Sequence, residues 1–371
     1  GHLRRRRADH RLRQPDLART YRKIAEAGLP WFYGGPFAAA TDRWMEIHQG
    51  LIRRGDFEQY RARLREPVRT TYRGCEIIGF PPPGSGGVLV AQILNILETF
   101  DLKGMGANSA ELIHIVAEAM KLAFADRAHW LGDPDFCAVP RGLAGKSYAA
   151  QLAKRIQRDR VVPVLDHGTP ERASKDVFGG HTTHLSTADA AGNWVACTAT
   201  INTSFGSKVV VPGTGVVLNS QMVDFSFFPG TANDYGLPGS EANAVAPGKR
   251  PLSSMSPTLV LRDGKPILAV GAAGGPTIIS QTVLAIIYVL DFGLPVEAAL
   301  AQPRFHHQWI PNKLYIEKSA GKTVLRDLAK RGHKLDMVQS MGVAQAVAVG
   351  PAGCGFTGAA DPRGEGKAEG F

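Results

Sequence analysis

Three patterns in this 371-residue chain predict a mixed α/β fold with much strand. Leu112, Ile113, Val116, Ala117, Met120 and Phe124 recur at helical spacing. Two runs, Leu185 to Ala190 and Trp194 to Ile201, flank Ala191-Gly192-Asn193 and read as a hairpin. Pro266 to Val270 reads as a strand feeding Gly274-Gly275 and a helix from Thr277. With 44% apolar residues the chain can bury a large core, and its Gly and Pro are too dispersed for a collagen-like or disordered sequence.

The elements follow in order. Residues 1–13 hold six arginines against one aspartate and read as a basic, disordered end, which accounts for part of the net charge of +10. No aromatic residues interleave those arginines to stack bases, so a nucleic-acid tether is disfavoured. Helices are predicted over Pro15 to Ala27 and Phe37 to Gln49, and Arg54-Gly55-Asp56 caps a short helix through Leu64. Tyr72 to Phe80 is predicted as a strand ending in the Pro81-Pro82-Pro83 turn. Helices follow at Val88 to Phe100, Ser109 to Trp130 and Lys146 to Arg158, and then a polar linker to Thr182. After the hairpin and the strand–glycine–helix unit, Val324 to Arg331 is a helix closed by Gly332. Ala344 to Val349 is a strand, followed by a glycine-rich turn and Asp361-Pro362-Arg363. The most apolar window, Thr277 to Leu290, is shorter than the roughly 18–20 residues of a membrane span and reads as a buried helix. Cys75, Cys137, Cys197 and Cys354 lack metal or redox spacing, and Cys197, within a core strand, reads as an inert buried thiol.

The junction between linker and hairpin carries the chemistry. It reads His181-Thr182-Thr183-His184-Leu185-Ser186. A threonine hydroxyl needs a base beside it, and cutting the chain before Thr182 turns its own α-amine, with a reference pKa of about 7.7–8, into that base. A bare threonine pair also suits the start of a strand. What distinguishes this one is the sequence after it: Thr200-Ile201-Asn202-Thr203-Ser204-Phe205-Gly206; Leu218-Asn219-Ser220-Gln221-Met222-Val223-Asp224-Phe225; Lys249-Arg250-Pro251-Leu252-Ser253-Ser254-Met255-Ser256-Pro257; Gly274-Gly275; and Pro303-Arg304-Phe305-His306-His307-Gln308-Trp309. Upstream stand Pro81-Pro82-Pro83 with Gly86-Gly87, and Leu131-Gly132-Asp133-Pro134-Asp135-Phe136. In this order and spacing the chain resembles the γ-glutamyltransferase family (γ-glutamyltranspeptidase, glutathione hydrolase) of N-terminal-nucleophile hydrolases. The resemblance runs from about residue 66 to the end, is looser over 14–65 and is absent from the first dozen residues.

The resemblance implies an α+β fold, the four-layer αββα sandwich of N-terminal-nucleophile hydrolases, incomplete at its N-terminus. It implies a division into residues 14–181, the C-terminal part of a large subunit ending in a processing linker, and 182–371, a small catalytic subunit. Both would come from one precursor cut at His181–Thr182. Thr182 would be the nucleophile, oriented by Thr200, with Gly274 and Gly275 supplying backbone N–H groups to the oxyanion. Asn202, Gln221 and Asp224 would hold the α-ammonium of a γ-glutamyl donor, and Ser253 and Ser254 its α-carboxylate. Thr200 and Asn202, two apart on one strand, would share a face. Tyr235 would stand at the tip of a lid, the loop from Phe227 to Pro247.

The donor would be glutathione or another γ-glutamyl compound, and the acceptor water, an amino acid or a peptide. No cofactor or metal is expected: His306-His307 in a strand face opposite ways, without ligands at metal spacing. Gly271 to Gly275 lacks the GxGxxG spacing of a dinucleotide site. The family also implies periplasmic or secreted residence, although the chain carries no signal peptide. Its large subunit normally includes an upstream arginine that clamps the α-carboxylate. That arginine is not in this sequence, so the chain reads as a fragment or as a member without its front half. A glutaryl-amide acylase on the same fold and a non-catalytic truncated remnant are the alternatives.

Overall fold

The structure is a computed structural model describing residues 12–170, 183–233, 235–350 and 353–370. Most of the basic end therefore lies outside the described residues. Packing divides the chain into two units, Gly1–Arg63 with Ile201–Ser220, and Leu64–Thr200 with Gln221–Phe371.

In the first unit, α1 (Pro15–Tyr33) opens on a proline at its first turn and kinks at Gly28, whose φ of 68° is non-helical. α2 (Pro36–Ile47) and α3 (Arg54–Gln59) follow. The short third helix stops at Gln59 rather than Leu64, because Tyr60 turns extended and Arg61 Nη1 caps the Glu58 and Tyr60 carbonyls. Phe37 and Met45 form a small core with Val211 and Leu218 of the 201–220 loop. Thr20 Oγ1 donates to the Thr214 carbonyl at 2.7 Å.

The second unit opens with β1 (Val68–Tyr72) and β2 (Cys75–Gly79), where one strand was expected. Arg73 (φ 50°) and Gly74 (φ 77°) make a two-residue turn with both central residues left-handed, the geometry that matches hairpin twist. Helices α4 (Gly86–Leu97), α5 (Leu102–Met105), α6 (Ala110–Trp130) and α7 (Lys146–Ala153) come next. Ser109 caps α6, its Oγ accepting from Leu112 N–H at 3.0 Å. Then come β3 (His184–Ala188), β4 (Trp194–Thr198), β5 (Thr258–Arg262), β6 (Lys265–Ala273), α8 (Thr277–Leu290) and α9 (Val296–Ala301). The chain closes with β7 (Phe305–His306), β8 (Leu314–Glu317), α10 (Lys322–Lys330), β9 (Leu335–Val338), β10 (Val343–Val349) and β11 (Phe356–Ala360).

An antiparallel sheet in the order β1-β2-β5-β6-β10-β11 forms the centre of this unit. Along β6, Leu268, Val270 and Ala272 enter the core shared with α4, α6 and α8. The intervening Gly271 faces the β3–β4 hairpin, and a Cβ there would meet the His184 ring at 2.3 Å. The period of two thus puts helices on one face and the hairpin on the other. The hairpin's outer face carries Leu185, Val195 and Cys197, all exposed. The inert buried reading of Cys197 is therefore wrong: its side chain belongs to the face turned away from β6. All four thiols are free.

The helix expected through Arg158 stops at Ala153, because buried side chains of α6 capture the main chain that follows. His114 Nε2 engages the Gln157 carbonyl at 2.7 Å, Glu118 accepts from Val162 N–H at 3.1 Å and Lys121 donates to the Val162 carbonyl at 2.7 Å. His114, Glu118 and His333 stand close enough together to hold a metal ion. However, His114 Nδ1 is paired with His333 Nε2 at 2.7 Å, and Glu118 with Lys121 Nζ at 2.6 Å, so the cluster is already satisfied as a clasp.

Candidate active site

The two residues of the cleavage assignment, His181 and Thr182, lie outside the described residues. The described chain resumes at Thr183, whose carbonyl accepts from Ala199 N–H. His184 is then buried between two hydroxyls, its Nδ1 2.9 Å from Thr198 Oγ1 and its Nε2 2.8 Å from Ser186 Oγ.

Burial holds His184 down at about 4, and His306 likewise. In the unfolded chain both would titrate near 6.5. Below that pH the unfolded state takes up protons that the native state refuses, so stability is full above about 6.5 and is lost as pH falls towards 4. The urea midpoint should fall steadily from pH 7 to pH 4.5, with a slope of up to about 1.4 kcal/mol per pH unit per histidine. His184→Gln should flatten the slope, and a midpoint insensitive to pH would contradict the burial of these rings.

Thr200 and Asn202 do not share a strand face. β4 ends at Thr198, and Asn202 turns left-handed at φ 74°, so the alternation on which the pairing rested has stopped. Asn202 belongs to the first unit, where its Nδ2 donates to the Ser220 carbonyl at 3.1 Å.

Gln221 and Asp224 occupy one 3-10 turn, with Asp224 buried and accepting from Gln221 Nε2. Nothing in the sequence pattern marks Asn243, yet it joins this turn to the serine loop. Its Nδ2 donates to the Asp224 carbonyl at 2.7 Å, and its Oδ1 accepts from Leu252 N–H at 2.9 Å. Beyond Leu252, the Ser253 hydroxyl accepts from Met255 N–H at 3.2 Å, leaving its own proton to donate. Asp133 of the Leu131 to Phe136 motif accepts from Arg250 N–H at 2.8 Å, which fixes the start of the same loop.

Gly274 (φ 139°) and Gly275 (φ 58°) form the turn between β6 and α8, in backbone conformations that favour glycine. Among the described residues, the N–H groups of both glycines have no acceptor. Tyr235 lies against this turn: a Cβ on Gly275 would approach its ring at 2.9 Å. The Tyr235 carbonyl accepts from Gln308 Nε2 at 2.9 Å, which ties this part of the loop to the Pro303 to Trp309 segment. Below the turn, Gln281 Nε2 donates to the Ala273 carbonyl at 3.1 Å and its Oε1 accepts from Arg304 Nη1 at 2.7 Å. His306 and His307 are buried; His306 bonds Ser280 Oγ at 2.8 Å and Gln308 Oε1 at 3.1 Å.

These features can be set beside known proteins. The sequence profile of the family described as gamma-glutamyltranspeptidase matches residues 3–371, extending through the stretch where the motifs alone gave little. The glutathione hydrolase proenzyme of Escherichia coli strain K12 is 44% identical over 351 residues, 94% of this chain and 60% of that protein. The acylase ACY 1 proenzyme of Pseudomonas sp. strain SE83 is 38% identical over 364 residues, 96% of this chain and 61% of that protein. The crystal structure of cephalosporin acylase from Bacillus halodurans superposes with a TM-score of 0.84 at 29% identity, covering 97% of this chain and 63% of that one. The chain thus spans about three-fifths of the length of these relatives. On the match across its whole length and the mixed α+β fold it shares with a solved relative, the chain belongs to the γ-glutamyltranspeptidase family of N-terminal-nucleophile hydrolases.

Proposed function

We propose that the protein is an autoprocessed γ-glutamyl hydrolase or transferase acting on glutathione or related donors, with Thr182 as nucleophile. In maturation the Thr182 hydroxyl attacks the His181 carbonyl, the peptide C–N bond breaks, and water hydrolyses the resulting ester, freeing the α-amine of Thr182. In turnover that amine takes the hydroxyl proton as the oxygen attacks the γ-carbonyl of the donor. The oxyanion is met by the N–H groups of Gly274 and Gly275, and the leaving amine departs with the proton. The γ-glutamyl ester then passes to water or to an amine acceptor. Large and small subunits from one precursor, a complete four-layer αββα sandwich, and periplasmic or secreted residence belong to the same reading. Fractionation of cells producing the full-length protein tests its location.

The observation that carries the choice of donor is the buried Asp224 carboxylate with Gln221 beside it. An α-ammonium is the partner such a carboxylate suits, and a glutaryl group has none. Asp224→Asn keeps the shape and removes the charge. Loss of one charge-assisted hydrogen bond costs roughly 1.5–3 kcal/mol, about ten- to a hundredfold in rate. Turnover of γ-glutamyl anilide should fall by that factor while the chain still cuts itself, and equal turnover by mutant and wild type would remove the glutamyl reading.

A glutaryl-amide acylase is the second reading, supported by the likeness to an acylase proenzyme and to a cephalosporin acylase. Comparing γ-glutamyl with glutaryl anilides separates the two, the first predicted to be the better substrate.

A further inference from the structure

Arg127, in the last turn of α6, is 4% exposed. Among the described residues no carboxylate lies within 4 Å of its guanidinium. Burial pulls it down to about 10, while Asp224 pulls the other way, so it is a cation at neutral pH. An arginine this deeply buried is normally paired.

Its hydrogen bonds point to the missing partner. Nε donates to Ser85 Oγ at 3.0 Å, and Nη2 reaches Ser254 Oγ at 3.5 Å, a long contact. Ser85 in turn donates through both its hydroxyl and its N–H to the Ser253 carbonyl, each at 2.7 Å, and Ser253 N–H donates to the Pro83 carbonyl at 2.8 Å. A Cβ on Gly86 would come within 1.9 Å of the Met255 carbonyl oxygen, so the Pro81–Gly87 turn is seated directly under the serine loop. A serine hydroxyl approached from behind by a guanidinium has its single proton left to donate forward, to an anion.

We propose that Arg127 is a positioning residue for the carboxylate of the acyl donor: it orients the Ser254 hydroxyl and supplies the buried positive charge that this carboxylate neutralises. The inference rests on assigning Ser253 and Ser254 to that carboxylate. A zwitterionic γ-glutamyl group would then match its ammonium to Asp224 and its carboxylate to Arg127 and the two serines.

The test uses the full-length protein and three anilides: γ-glutamyl, glutaryl and 4-aminobutyryl, the last being the γ-glutamyl group without its α-carboxylate. Arg127→Met should raise KM for the γ-glutamyl and glutaryl anilides by about ten- to a hundredfold, with kcat changed less. kcat/KM on the 4-aminobutyryl anilide should stay within about twofold of wild type. Where Arg127→Met does not mature, Arg127→Lys, with the charge on a shorter point donor, should show the same selective rise at smaller size.

An equal loss on all three substrates, or no change in KM, would overturn the proposal. Wild-type turnover of glutaryl but not γ-glutamyl anilide defeats the glutamyl reading alone, and a selective rise in glutaryl KM would then still support Arg127. Wild-type turnover of neither overturns both.

Discussion

Thr182→Ala is expected to leave the chain uncut on a denaturing gel and to abolish amide hydrolysis, a loss on the order of 10⁴-fold or more. Removing the hydroxyl removes the atom that attacks His181 during maturation and the donor carbonyl afterwards, and an uncut chain never exposes the α-amine that serves as base. Thr182→Ser keeps the hydroxyl and should cut itself, more slowly, because serine lacks the methyl that restricts the threonine rotamer. If Thr182→Ala still yields two pieces, an external protease makes the cut and the nucleophile assignment loses its support. A wild-type chain that remains uncut would instead favour the non-catalytic remnant.

Asp361→Ala is expected to destabilise the protein by about 3–5 kcal/mol, the usual cost of removing one partner from a buried ion pair. Asp361 and Arg304 are 1% and 4% exposed and form a direct ion pair. The carboxylate also accepts from Ala344 N–H at 2.8 Å and from Arg363 N–H at 2.9 Å. Arg304 reaches the Met341 carbonyl at 2.8 Å and Gln281 at 2.7 Å. Without Asp361 the guanidinium is stranded, and the Gln281 contact beneath the Gly274-Gly275 turn loses its support. Arg304→Met combined with Asp361→Leu removes both charges and should cost less than the two single changes added together. Urea unfolding of the wild type, Asp361→Ala, the two single changes and the double variant measures this. A shift below about 1 kcal/mol for Asp361→Ala would show that the pair does not hold this end of the sheet.

The family and the order of most elements were legible in the sequence. Apolar spacing in α6 and α8, and alternation in β3 and β4, are local periods that the backbone itself imposes. The motifs supplied the family and with it the mixed α+β fold, whose helices, sheet and hairpin are seen in the second unit.

Tertiary structure decided what depends on partners far away in the chain. The segment around Arg73-Gly74 holds two strands, β1 pairing with β2 and β2 with the distant β5. The helix from Lys146 stopped at Ala153, short of Arg158, where His114, Glu118 and Lys121 offered the following main chain better-placed partners. Cys197 faced outward because Gly271 and His184 fixed the other side of the hairpin as the inner one. Asn243, invisible as a motif, joined the carboxylate turn to the serine loop, and Arg127 reached that loop at Ser254 across more than a hundred residues of sequence. Periodicity reports which face a residue takes within its own element. Which buried polar groups satisfy one another is set only when the elements pack, since an unpaired donor or charge there costs more than local propensity can repay.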